Sequence, residues 1–213
     1  MAGAGGLRMP IFELPAVILP GELMPLHIFE ERYKRMIGHC LDASEPFGIV
    51  FRDEDGGARR IGCTARVTEV TETFDDGRMN VIVTGEEPFR VLDRYEESEF
   101  PSGEVEPIDV GVDGPAEGGA EKAADIAREA FAELVERVSG EPPDGDELAD
   151  TGAYGIAARV ELPAETKQRL LELRSESERM RTLGNALRAL VDAVDRSQEI
   201  AERASMNGKV VVG

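Results

Sequence analysis

A chain of 213 residues with 41% hydrophobic content has apolar material for two modest cores, and its net charge of −19 argues against nucleic acid, whose phosphates are held by basic patches. The densest basic spots, Arg32 to Arg35 and Arg59-Arg60, are diluted by neighbouring acids, so the acid excess reads as a solubilising surface. Two cysteines without a CxxC partner give neither a zinc site nor a disulfide framework, and no run approaches the ~18–20 apolar residues of a membrane span, so a cytoplasmic protein without membrane contact is expected.

In chain order, the glycine-rich Met1–Gly6 offers little to bury, and MPIFELP opens the first extended segment. Ala16 to Leu19 is a short branched apolar run suited to a buried strand. It stops at Pro20-Gly21, because proline cannot donate to a ladder and glycine tolerates the positive φ of a tight turn. From Ile28 the spacing turns helical: Ile28, Arg32, Met36 and Cys40, with Phe29, Tyr33 and Ile37, recur at three and four residues and predict a helix to Leu41. Phe47 to Phe51 predicts a strand, and Arg60 to Thr73 alternates as a half-buried one. Asp76-Gly77 then favours a hairpin that returns as Met79 to Val83. Gly85 marks a bulge or bend, and Phe89 to Leu92 and Gly103 to Ile108 bring the strands to about six.

Gly111 to Gly119 is the linker candidate, since its Gly, Pro and Asp have little to bury, giving units at 1–110 and 120–213. Beyond it the pattern is helical: Ala120 to Val138 closes at Ser139-Gly140, Leu148 to Val160 is weakened by Gly152 and Gly155, and Pro163 opens a short helix to Leu173. Ser175-Glu176-Ser177-Glu178 fits a capping box, so a long helix starts there, its stripe of Met180, Leu183, Leu187, Leu190 and Val194 running toward Ser205. That stripe either closes the helical unit or forms a seam for a partner helix.

The runs LPAVILPGELMPLHIFEERY, RRIGCTARVTEV and MNVIVTGEEPFRV, in order between about Met9 and Ile108, resemble the amino-terminal substrate-binding domain of the Lon protease family, including its stand-alone relatives; a fainter likeness continues near Leu162 to Leu183. The resemblance implies an α+β protein: a PUA-like β pseudobarrel with one helix, followed by an α-helical domain ending in a long helix.

The full Lon protease carries ATPase and Ser–Lys proteolytic modules, and neither signature occurs in these 213 residues. There is no G-x-x-x-x-G-K-[ST] loop, since Gly208-Lys209 has no upstream glycines, and no serine sits in a recognisable nucleophile motif. His27 and His39 lack metal-ligand spacing. The expectation is therefore a non-enzyme with no catalytic residues, no cofactor and no metal. The resemblance implies binding of unfolded or extended polypeptide, with a protease or chaperone machine as the larger partner, by a monomer or weak homodimer. The turn Pro20 to Pro25 and the helix start through Phe29 are the candidate surface, with Leu23, Pro25 and Phe29 as apolar contacts and Glu30, Arg32 and Tyr33 as the rim. Two alternatives stand beside this. Leu23, Leu26 and Phe29 could plug the barrel, or the chain could be a structural or regulatory scaffold acting through self-association or docking to a larger machine.

Overall fold

β1 (Leu7–Leu14) is used twice, and the barrel follows from that division of labour. Its first half, Leu7 to Pro10, pairs antiparallel with β6 (Ser102–Pro107), and its second half, Ile11 to Leu14, pairs parallel with β3 (Phe47–Arg52). The computed structural model describes residues 6–95, 99–109 and 119–207, without the side chains of 202 and 204–207. The glycine-rich start (1–5), the linker candidate (111–118) and the pair 208–209 lie outside the described residues.

β3 continues antiparallel into β4 (Ala58–Thr73), and β4 into β5 (Met79–Tyr95) through the expected hairpin, where Gly77 takes φ 80° and Phe74 N–H donates to the Arg78 carbonyl at 2.8 Å. β5 pairs with β6 along its second half, so β5, β4, β3, β1 and β6 close a ring. This is the pseudobarrel of a mixed, mostly antiparallel sheet. Its core includes Ile11, Val50, Phe89, Val91 and Val105, aliphatic and aromatic side chains that alternate inward along their strands.

β5 is one strand of 17 residues where two were expected. Between the pairs Cys63↔Pro88 and Ala65↔Gly85 it carries one extra residue, the bulge foreseen at Gly85. The run Val17 to Leu19 is buried as expected but lies in no strand; its neighbour is instead the outlying strand β2 (Leu23–Ile28), which pairs with Met79 to Thr84 of β5. Helix α1 (Glu31–Ala43) consequently starts at Glu31 rather than Ile28. Ile28 fits the helical spacing because its side chain also points into the core, but its backbone belongs to the ladder. The expectation of a turn and helix start over Pro20 to Phe29 is corrected to a turn at Pro20-Gly21 followed by a strand.

The chain divides into two compact units, Met1–Val112 with Ala157–Ser175, and Asp113–Ile156 with Glu176–Gly213. In the first, helix α5 (Ala164–Glu172) packs on β4, and buried Gln168 donates Nε2–H to the Ile61 carbonyl at 3.1 Å. In the second, α2 (Ala120–Ser139) packs along the long helix α6 (Glu176–Asn207), which begins directly after Ser175. Met180, Leu183, Leu187 and Val191 are the buried stripe of α6, with Ala127, Ala130, Phe131 and Leu134 buried on α2. Two short helices, α3 (Gly145–Ala149) and α4 (Ala153–Ala157), replace the single weak helix expected between Leu148 and Val160; Gly152 lies in the break. Among the described residues no helix is long and apolar enough to cross a membrane.

Candidate functional site

A groove of about 540 Å³ opens in the first unit between two continuous segments, Phe12 to Pro15 at the end of β1 and Leu26 to Glu30 at the end of β2. Phe12, Leu14, Leu26, Ile28 and Phe29 supply apolar surface, while Glu13, Glu30, Arg32 and Arg52 supply charge. A second groove of about 380 Å³ shares Glu13, Arg32, Tyr33 and Arg52 with it and continues toward Arg94, Tyr95 and Phe100.

The polar centre is Glu13, whose side chain is only 15% exposed. It sits between two guanidinium groups: Arg52 Nε donates to it at 3.0 Å, and Arg94 Nε lies 3.3 Å from its other oxygen. Both arginines are held from behind, Arg52 by the Gly56 carbonyl at 2.6 Å and Arg94 by the Arg59 carbonyl at 2.7 Å. Two guanidinium groups thus meet one largely buried carboxyl group, and the carbonyl contacts behind them fix the guanidinium planes in place.

Of the candidate residues, Phe29, Glu30, Arg32 and Tyr33 line the groove, whereas Leu23 and Pro25 lie along β2 outside its lining. Leu23 is 64% and Phe29 59% exposed, so neither plugs the barrel; Leu26 is half-buried. Glu30 occupies the position before α1 yet makes no capping bond with its side chain, and its carboxylate instead accepts from Arg32 Nε at 2.9 Å. Arg32 lies over the Tyr33 ring at 4.5 Å, and that ring packs on Phe12 at 4.0 Å between centroids. Burial pushes the Tyr33 phenol above its ordinary pKa, so it stays neutral. At the rim, His27 stacks on Phe29 at 5.8 Å and meets Phe74 edge-on at 6.1 Å, while its Nδ1–H donates to Asn80 Oδ1 at 2.6 Å.

Glu13 and Arg52 escaped sequence reasoning. The available signal was a single acid inside the apolar run Ile11 to Leu14, a position that a strand only tolerates when a cation meets it. Among the described residues no group of three or more His, Cys, Asp or Glu is placed to hold a metal ion. The buried thiols Cys40 and Cys63 are raised by desolvation to about 11 and about 12, which leaves them protonated and unreactive at neutral pH. The site is thus suited to contact: an exposed aromatic beside an apolar floor, with an ordered charged wall.

The model of the ATP-dependent protease La (LON) substrate-binding domain matches residues 8–189. A Lon protease of Anaeromyxobacter dehalogenans (strain 2CP-C) is 26% identical, covering 96% of this chain and 25% of that protein, and one of Paraburkholderia phytofirmans is 25% identical, covering 91% and 26%. The chain therefore spans about a quarter of the length of these curated relatives. Among solved structures, a Lon N-terminal domain protein from Xanthomonas campestris aligns with a TM-score of 0.61 at 21% identity, over 83% of this chain and 96% of that one. The N-terminal domain of a Mycobacterium avium complex Lon protease aligns with a TM-score of 0.65 at 18% identity, over 85% and 98%. At these identities the likeness establishes the fold.

Proposed function

This chain belongs to the ATP-dependent protease La (LON) substrate-binding domain family, and on that premise we propose that it is a non-catalytic protein that binds unfolded or extended polypeptide through the groove beside Phe29. The observation that carries the reading is the exposure of Phe29 and Leu23, large apolar side chains left in water next to an apolar floor. A monomer places such residues there at a cost in solubility, which a binding surface recovers when a partner covers them. The charged wall around Glu13 sets orientation, because its fixed guanidinium groups can meet a peptide's carbonyls without reorganising.

The reading is one of capture alone, supported by a sequence in which neither a phosphate-cradling glycine loop nor a recognisable nucleophile motif occurs. It places the protein in the cytoplasm, delivering polypeptide to a protease or chaperone machine. The test pairs two measurements on the variants Phe29→Ser and Leu23→Ser: the midpoint of unfolding and the affinity for a reduced, unfolded model protein. The expected result is a nearly unchanged midpoint with binding weakened about tenfold or more, as for loss of an apolar anchor. Unchanged affinity in both folded variants would remove the groove from the reading. Self-association that grows with concentration, and no polypeptide binding, would favour a scaffold instead.

A further inference from the structure

We infer that the groove is a vacant strand position, in which an extended, cationic polypeptide segment adds to the free edge of β2 by main-chain hydrogen bonds. This rests on the polypeptide-binding reading above and specifies how the segment is held.

The ring of strands is complete only at one end. β5 is shared: Phe89 to Tyr95 pairs with β6, but Met79 to Thr84 pairs with β2, and among the described residues β2 has no strand on its far side. β1 is divided the same way: Leu7 to Pro10 faces β6 and Ile11 N–H donates to the Pro101 carbonyl at 2.9 Å, while Phe12 to Leu14 pairs, among the described residues, with β3 alone. At this end the wall therefore stops at β2 on one side and at the second half of β1 on the other. Those two segments, Leu26 to Glu30 and Phe12 to Pro15, are the two sides of the groove.

The direction of the β2 ladder follows from two facts. Gly85 N–H donates to the Glu22 carbonyl at 2.9 Å, which makes Glu22 and, two residues at a time, Met24, Leu26 and Ile28 the positions bonded to β5. Pro25 has no N–H, so it fits only at a position that points away from β5. Leu23, Pro25 and His27 therefore turn their main-chain groups toward the open side, offering two N–H donors and three carbonyl acceptors. No partner for these groups occurs among the described residues. A strand added there would alternate its side chains between the apolar floor of Leu26 and Ile28 and the exposed face of Leu23 and Pro25. The rim charges of Glu13, Glu30, Arg32 and Arg52 cancel in number, which leaves the net charge of −19 to favour a cationic segment and repel an acidic one.

The probe is a fluorescein-labelled peptide of alternating valine and lysine, compared with the same peptide N-methylated along its central residues. Methylation keeps the side chains and removes the donors. The proposal expects the unmodified peptide to bind, the methylated one to bind at least about tenfold more weakly, and amide exchange at Leu23 and His27, fast in the free protein, to slow on binding. Equal binding of the two peptides, or unaltered exchange at Leu23 and His27, overturns strand addition while leaving polypeptide capture intact. So does binding of the reduced, unfolded model protein without binding of the peptide. Failure of both probes overturns the capture reading as well. If Leu23 and His27 become protected with rising protein concentration alone, the occupant is a second copy of the chain and the proposal falls.

Discussion

Lys167 on α5 is ion-paired with Glu22, the residue immediately before β2, across 145 positions of sequence. Each side chain is only 13% exposed, and the second carboxylate oxygen of Glu22 accepts from Leu19 N–H at 3.0 Å. One lysine thus ties a late helix to the turn that launches the strand beside the groove.

Replacing Lys167 with Met is expected to destabilise the protein by roughly 2–4 kcal/mol, because it leaves the Glu22 carboxylate mostly buried without its cation. Adding Glu22→Gln should recover part of that loss. Urea unfolding of the two single variants and the double variant measures the coupling, and strictly additive losses would show that the pair contributes nothing of its own.

One substitution should have opposite signs at two glycines. A Cβ at Gly85 would lie 2.1 Å from the Leu19 carbonyl oxygen, so Gly85→Ala must push main chain apart and should cost roughly 2–3 kcal/mol. Gly38, inside α1, has nothing within 4 Å of that position, and Gly38→Ala should stabilise by about 0.5–1 kcal/mol through helix propensity. Melting curves of the two variants decide it.

Leu187 is fully buried on the face of α6 that packs against α2. Leu187→Asp should cost several kcal/mol, since the charge has no partner in an apolar stripe. Circular dichroism on heating should show loss of helix at markedly lower temperature; an unchanged midpoint would mean that the stripe is not buried in solution.

Alkaline pH should weaken the fold through Cys63. Burial raises its thiol to about 12 from an ordinary value of 9.0, so the unfolded chain ionises first. Above pH 9 the unfolded state binds fewer protons, and stability falls until the folded thiol also ionises near 12. At pH 10 the loss is about 1 kcal/mol. Unfolding free energies at pH 8 and pH 10 should therefore differ less in Cys63→Ala than in the parent, and equal differences would refute the assignment.

The elements read most easily from sequence are those whose pattern is local. The hairpin at Asp76-Gly77, the alternation of β4 and the capping box before α6 each contain their own signal, and each element lies within about two residues of its expected place. β2 did not, because Leu-Met-Pro-Leu-His-Ile contains a proline and little branching, and only the ladder to β5 makes it a strand. The candidate site divides the same way. Phe29, Glu30, Arg32 and Tyr33 could be named from a loop-to-helix pattern, whereas Glu13 and Arg52 meet across 39 positions that no local spacing reports. The attachment of α5 to the first unit was equally invisible, since Lys167 and Gln168 look like ordinary solvated helix residues until Glu22 and Ile61 are brought to them.

The double use of β1 has a kinetic consequence. The ring closes where Leu7 pairs with Val105, so nearly the whole β unit must be present before the first strand finds its second neighbour. Contacts of such separation are slow to form, because the entropy of closing a long loop is lost before the pairing rewards it. Until then β1 carries an apolar strand with a bare edge, the kind of segment that joins other chains when they are concentrated. Refolding yield should therefore be limited by protein concentration, and recovered by dilution, rather than by time, and a ribosome releasing the chain slowly past Val105 would set the interval during which a chaperone has something to hold.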